Sequence, residues 1–225
     1  MNNGVISLTS FINEGLINIK NTIYLITKRV FDFIIGLIGL VFIIPVALVV
    51  KISYILTGDF KSIIYSQERI GKKGKPFKMY KFRSMVPNAD EELKELLKIK
   101  KYKEEWDKNQ KINDDPRITK AGRILRKTSL DELPQFINII KGDISLIGPR
   151  PLVKGELDAH NGNHKIYESV KPGITGWWAV NGRSATTYEE RLALEYYYVK
   201  HKGIKMDLLC MIKTVLVVIK RTGAK

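Results

Sequence analysis

The chain has 225 residues, room for one modest core plus an additional element. Its 38 basic and 23 acidic side chains leave a formal net charge of +15, which calls for an anionic partner: nucleic acid, anionic lipid or a phosphorylated substrate. The single cysteine, Cys210, excludes an internal disulfide and a cysteine-based zinc site; His160 and His164 flank Asn161-Gly162-Asn163, which reads as a turn and not as a metal-binding helix face.

Residues 1–27 read as a weakly amphipathic, partly helical leader, with Leu8, Phe11, Ile12, Leu16 and Ile19 along one face. Residues 30–50 are apolar all round apart from Asp32, and at about 1.5 Å per residue they are long enough for a hydrocarbon core of about 30 Å. Their late start and the lack of a small-residue cleavage pattern exclude a cleavable signal. Lys28 and Arg29 before the run and Lys51 after it draw both ends to the cytoplasm, and Pro45 removes a backbone donor deep inside it. A bent helix that enters and leaves by one face fits these features, and so does a straight tilted span with a tolerated proline.

Two strands are predicted at 63–69 and 75–82, around the turn Gly71-Lys72-Lys73-Gly74. Lys61, Arg69, Lys72, Lys73, Lys75, Lys78, Lys81 and Arg83 oppose Glu68 alone, so this hairpin is expected to face anionic headgroups or phosphates. A polar helix is predicted from 89 to about 108 with Asn88 as its N-cap, followed by a linker at 111–116. The stretch 117–127 carries Arg117, Lys120, Arg123, Arg126 and Lys127 with no acid. Ser129 and Glu132 then fit a capping box, predicting that a helix starts there, with Leu133, Phe136, Ile137 and Ile140 on its apolar side, Pro134 early in it and Gly142 at its end. Gly148-Pro149-Arg150-Pro151 restricts the backbone on both sides of Arg150. A second capping box, Thr187 and Glu190, opens a helix to about residue 200, and 208–219 form an apolar helix that packs on the core or lies at a membrane interface.

No Walker A loop, strand-linked GxGxxG, GxSxG or zinc signature is present. The chemistry-bearing feature is the pair Asp131-Glu132, set after the basic run. Helix capping alone would account for it. An adjacent carboxylate pair also suits Mg²⁺ bound together with substrate phosphates, a carboxylate can attack phosphorus, and Arg117, Arg126 and Arg150 are cations of the kind phosphoryl transfer requires. A membrane segment beside such a site points to a lipid phosphate as one substrate.

Four motifs in order are KRVFDFIIGLIGL with a later proline, SQERIGKKGKPFKMYKFRSM, DPRITKAGRILRKTSLDELPQFINIIKGDISLIGPRP and KPGITGWWAVNGR. From residue 28 to about 220 the chain resembles the bacterial sugar transferase family, the monotopic polyprenol-phosphate phosphoglycosyl transferases. The resemblance implies an α+β, mostly helical fold: a leader at 1–27, a re-entrant membrane helix at 28–51 broken near Pro45, a small basic β-hairpin, and interfacial amphipathic helices around one compact catalytic domain at 52–225. It implies transfer of a phosphosugar from a UDP-sugar to polyprenyl (undecaprenyl) phosphate with release of UMP, in capsule, exopolysaccharide or glycan assembly. Asp131 is implied as nucleophile and main Mg²⁺ ligand, with Glu132 assisting. Pro149 and Arg150 are implied to meet a substrate phosphate, Arg117 and Arg126 either phosphate, and Lys171, Gly173, Thr175 and Arg183 of the KPGITGWWAVNGR stretch the nucleotide side. The implied setting is the cytoplasmic face of a bacterial inner membrane, in a minimal catalytic form without the multi-span domain of longer members. Trp177-Trp178-Ala179 departs from the single Trp followed by Ala-Gln of many members, which leaves the contacts of Trp178 open. The lipid bilayer is an expected partner and nucleic acid is not; a homodimer packed through the C-terminal part stays open. The alternative readings are a non-catalytic membrane scaffold and, on charge alone, a nucleic-acid-binding protein, in which the apolar segment would have no role.

Overall fold

The computed structural model describes residues 2–109 and 112–220, with the side chains of 2–17, 108–109, 184 and 218–220 outside that description. The leader face of Leu8, Phe11, Ile12 and Leu16 therefore lies outside the described side chains, as does Arg221 beyond the last helix. The fold is α+β and mostly helical. Its helices are α1 (Asn2–Ile55), α2 (Ala89–Leu96), α3 (Lys100–Asn109), α4 (Lys120–Thr128), α5 (Gln135–Lys141), α6 (Glu156–Ala159), α7 (His164–Tyr167), α8 (Trp177–Asn181), α9 (Tyr188–His201) and α10 (Ile204–Lys220). Strands β1 (Ile64–Ile70) and β2 (Pro76–Phe82) pair as the predicted hairpin, and β3 (Ser145–Ile147) pairs in parallel with β4 (Gly173–Thr175).

Residues 18–55 of α1 are long and apolar enough to cross a membrane. Composition singles out no side of this helix, yet packing does. Asp32, Gly36, Gly39, Val50 and Tyr54 are buried and Ile43, Val46 and Ala47 half-buried, a stripe at intervals of three and four residues. Val41, Ile44, Leu48 and Val49, on the other side, are more than 60% exposed. The helix continues through Pro45, whose ring lies on the exposed side, so the break expected there is not seen as an interruption.

The described residues form two compact units: 2–38, 68–77 and 138–220, and 39–67, 78–109 and 112–137. In the first unit, Arg29 of α1 donates to the carbonyls of Ile139 and Ile140 in the last turn of α5 at 2.6 and 2.7 Å. Lys28 pairs with Asp207 of α10 at 2.7 Å, and buried Asp32 accepts from the Leu146 N–H at 2.9 Å. Thus the basic pair before the apolar run and the one acid within it serve as anchors. Thr187 and Glu190 form the predicted reciprocal cap on α9. α10 begins four residues before the predicted start: Cys210 is fully buried, while Ile204, Leu208, Ile212, Val215 and Leu216 remain exposed along its outer side.

In the second unit, Val50, Tyr54, Phe82 and Leu125 form a core against which Leu130 and Leu133 pack. The single helix predicted from 89 is two, α2 and α3, separated by residues 97–99; Asn88 precedes α2 without a capping side-chain bond. Thr119 caps α4 by accepting from the Gly122 N–H at 2.9 Å. α4 lies so close to Ser84 that a Cβ on Gly122 would come 1.9 Å from the Ser84 carbonyl oxygen, a backbone atom that no rotamer relieves. Gly122→Ala is expected to destabilise this unit by about 3 kcal/mol or more, read as a lower melting temperature in detergent.

Candidate active site

The basic hairpin is only partly the open cationic surface its composition suggests. Arg83 is buried, donating to the Ser62 and Met85 carbonyls and pairing with Asp59 at 2.8 Å. Arg69 donates to the Pro151 carbonyl at 3.2 Å. Lys61, Lys73, Lys75 and Lys78 are exposed. Lys81, half-buried, pairs with Glu132 at 3.1 Å.

Asp131 and Glu132 do not open a helix. Ser129 takes the left-handed conformation at φ 57° and closes α4, its N–H bonding to the Arg126 carbonyl at 3.2 Å. Residues 130–132 then form one 3₁₀ turn, and α5 begins only after Pro134. The predicted capping box is absent because an N-cap needs extended backbone, which the tight exit from α4 denies to Ser129. Glu132 is thereby released to meet Lys81. The dyad sits between Leu130 and Leu133, both packed on the core that contains α1 residues Val50 and Tyr54.

Burial raises the Asp131 carboxyl above its ordinary value; Lys81 opposes that shift, Glu132 reinforces it and Arg126 opposes it. Arg126 is exposed, with its Nε donating to Ser84 Oγ at 2.8 Å, so its guanidinium is both oriented and accessible. Arg117 is different. It is 5% exposed, bonds Asp115 through Nε and Nη2 at 2.9 and 2.6 Å, and donates to the Ala89 carbonyl. Its guanidinium is committed to a buried ion pair rather than presented to a phosphate. Among the described residues no three His, Cys, Asp or Glu side chains cluster as a metal site. Two adjacent carboxylates suit a cation that draws its remaining ligands from phosphates and water, as Mg²⁺ does.

The first unit holds the other implied residues. Pro149 and Pro151 are buried while Arg150 projects outward. The Arg150 N–H bonds Glu195 Oε1 at 2.9 Å, its carbonyl accepts from the Tyr167 hydroxyl at 2.8 Å, and its guanidinium lies 5.9 Å from the Trp178 ring. Gly173 donates to the Pro149 carbonyl at 2.8 Å, and the Gly148 N–H reaches the Thr175 carbonyl at 2.9 Å. Gly173 and Thr175 therefore brace the Arg150 loop through backbone; the Thr175 hydroxyl faces Thr214 at 2.9 Å. Lys171 lies near Arg29, and burial, with Arg29 second, lowers its ammonium below the ordinary value. Arg183 is half-buried with φ 47°. Trp178, left open by the sequence, donates to Thr186 Oγ1 at 2.8 Å and has the Arg191 guanidinium 4.8 Å from its ring.

Glu195 lies outside the four motifs; Lys81 and Ser84 lie within one of them, but nothing local pairs them with Glu132 and Arg126. A signal existed for Glu195, since it shares a helical face with Leu192 and Val199. Burial pushes its carboxyl up to about 7, against the opposing influence of the Arg150 N–H and the charges of Arg191 and Arg150. A carboxyl raised from its ordinary value near 4.5 favours the fold most below pH 4.5, and that contribution is lost as pH rises through about 7. Glu195→Gln is expected to remove this pH dependence and to gain up to roughly 3 kcal/mol over the parent chain at pH 8. Melting temperatures of the two proteins from pH 5 to 8 measure it.

Residues 23–221 match the family model for bacterial sugar transferases. The chain is 44% identical over 198 residues to an undecaprenyl-phosphate galactose phosphotransferase of Salmonella typhimurium and 43% identical over 198 to a UDP-galactose-lipid carrier transferase of Erwinia amylovora. Both alignments cover 88% of this chain but 41% of the relative, so the chain spans about two fifths of the length of these curated relatives. The exopolysaccharide production protein ExoY of Sinorhizobium fredii is 40% identical over 200 residues, with 88% of each chain covered. The chain belongs to the bacterial sugar transferase family.

Proposed function

We propose that this chain transfers a phosphosugar from a UDP-sugar to a polyprenyl phosphate at the cytoplasmic face of a bacterial membrane. The observation that carries the reading is the placement of Asp131. It is a half-buried carboxylate of raised pKa, with Lys81 and Arg126 among its charged neighbours, on a turn whose two leucines pack against the apolar helix. This placement supports carboxylate chemistry beside the segment along which a lipid phosphate would approach.

In this mechanism an Asp131 oxygen attacks the β-phosphorus of the donor. The bond from that phosphorus to the bridging oxygen breaks, and UMP leaves. The sugar phosphate is then an acyl phosphate on Asp131. A phosphate oxygen of the polyprenyl acceptor attacks the same phosphorus, the bond to Asp131 breaks, and the carboxylate is restored. Arg126, oriented by Ser84, meets the charge on the transferring oxygens. Glu132, held by Lys81, takes the proton of a singly protonated acceptor phosphate as that phosphate attacks, or would assist the metal. Asp131 and Glu132 would hold Mg²⁺, which when bound offsets negative charge on the donor phosphates. Arg150 contacts a substrate phosphate.

The apolar helix stays in one leaflet on this reading. Ile43, Val46, Ala47 and Val50, in the second half of the apolar run, pack on a core that includes Phe82 and Leu125, whereas a span would surround most of that half with lipid. The exposed outer side supplies the surface that enters the membrane. Lys28, Arg29 and Lys51 keep both flanks cytoplasmic.

The test is a panel of UDP-sugars with undecaprenyl phosphate and Mg²⁺, read as UMP release. At least one donor is expected to support turnover that depends on both acceptor and Mg²⁺. No release from any donor, by protein that binds membranes and is folded, would leave the scaffold reading in its place.

A further inference from the structure

The geometry points to Glu195 as the positioning residue for Arg150, a task it shares with Tyr167 at the other backbone polar group of the same residue. The inference rests on the reading of Arg150 as a phosphate contact.

Every backbone polar group around Arg150 is held. The Pro149 carbonyl accepts from the Gly173 N–H at 2.8 Å and the Pro151 carbonyl from Arg69 at 3.2 Å. Between them, Glu195 takes the Arg150 N–H at 2.9 Å and the Tyr167 hydroxyl donates to the Arg150 carbonyl at 2.8 Å. The two prolines fix φ on either side of the arginine's neighbours, so little backbone freedom remains. The one part of Arg150 left exposed is its side chain, which reaches out beside the Trp178 ring. Trp178 is itself immobilised by its bond to Thr186 and by Arg191.

The choice of partner is informative. Glu195 is 1% exposed, and its second oxygen, Oε2, is buried without a hydrogen-bond partner among the described residues. A buried carboxylate is a costly acceptor for one N–H, which a backbone carbonyl or a glutamine would satisfy. What the side chain adds is an acceptor oxygen carried by α9 and held in place by burial, which gives the Arg150 N–H one fixed direction. The result is a guanidinium preorganised before substrate arrives, so that binding an anionic group loses little further entropy.

A double-mutant cycle on kcat/KM for UMP release, with the best donor of the panel, tests this. Glu195→Ala is expected to lower kcat/KM roughly 10- to 100-fold in the parent chain, the scale of a misplaced contact. In an Arg150→Ala background the same change is expected to cost less than about twofold, because nothing is left to position. Glu195→Gln keeps an acceptor oxygen and is expected to recover most of the loss. If Glu195→Ala does not fold, Tyr167→Phe removes the hydroxyl at the other end and is expected to show the same dependence on Arg150. Equal losses in both backgrounds, or a glutamine variant as poor as alanine, overturn the positioning assignment and leave Arg150 in place. Full activity of Arg150→Ala overturns the reading of Arg150 itself, and no turnover in the parent chain overturns both.

Discussion

Asp131→Asn is expected to abolish UMP release, with a loss of roughly 10⁴-fold or more in kcat, the scale seen when a covalent nucleophile is removed. Asparagine is nearly isosteric, so Leu130 and Leu133 keep their packing and the turn at 130–132 survives. Its amide lacks the anionic oxygen that attacks phosphorus. Membrane partition and melting temperature should therefore match the parent chain while turnover disappears. Intact mass measured after incubation with donor alone supplies the second readout: the parent chain gains one phosphosugar and the variant gains nothing. Glu132→Gln is expected to be milder, about 10- to 100-fold, since it removes an assisting group and its Lys81 partner but leaves the nucleophile. Turnover by Asp131→Asn close to that of the parent would falsify the nucleophile assignment.

Gly173→Ala is the second large effect, and it reaches both stability and activity. A Cβ at this position would stand 2.1 Å from the Gly148 nitrogen and 2.6 Å from the Thr175 carbonyl oxygen. Both are backbone atoms of the paired β3–β4 region, so the strand must move. That movement breaks the Gly173 N–H bond to the Pro149 carbonyl and displaces the loop carrying Arg150. Destabilisation of about 3 kcal/mol or more is expected, as for overpacking without a rotamer escape. At a temperature where the variant is still folded, kcat/KM should also fall by about tenfold or more as Arg150 shifts. Thermal melts and UMP release on the same preparation separate the two effects. A variant with parental stability would show that the strands tolerate wider spacing than the contacts imply.

Much of the candidate site was legible from local pattern. Asp131-Glu132 beside a basic run, and Arg150 between two prolines, are contiguous in the chain, so their chemistry can be read before their positions are known. The hairpin, the Thr187–Glu190 cap and the end of α5 at Gly142 were equally local. What failed was local too, but decided by competition. Ser129 and Glu132 match a capping box, and the exit from α4 used Ser129 for a left-handed turn instead. Arg117 and Arg126 are equivalent as members of a basic run; Asp115 buries one and Ser84 holds the other open at the surface.

By itself, the order of residues determined the apolar helix, the carboxylate pair, the proline-flanked arginine and the family, because each rests on neighbours along the chain. Only the tertiary structure decided which side of that all-apolar helix meets protein. There the steric room left by Gly36 and Gly39 lets Ile140 and Phe136 approach, a pairing across about a hundred residues that no periodicity encodes. It likewise decided that Glu195 holds Arg150 and that Lys81 meets Glu132. Hydrogen bonds between distant segments depend on where burial brings two side chains, and composition is silent on that.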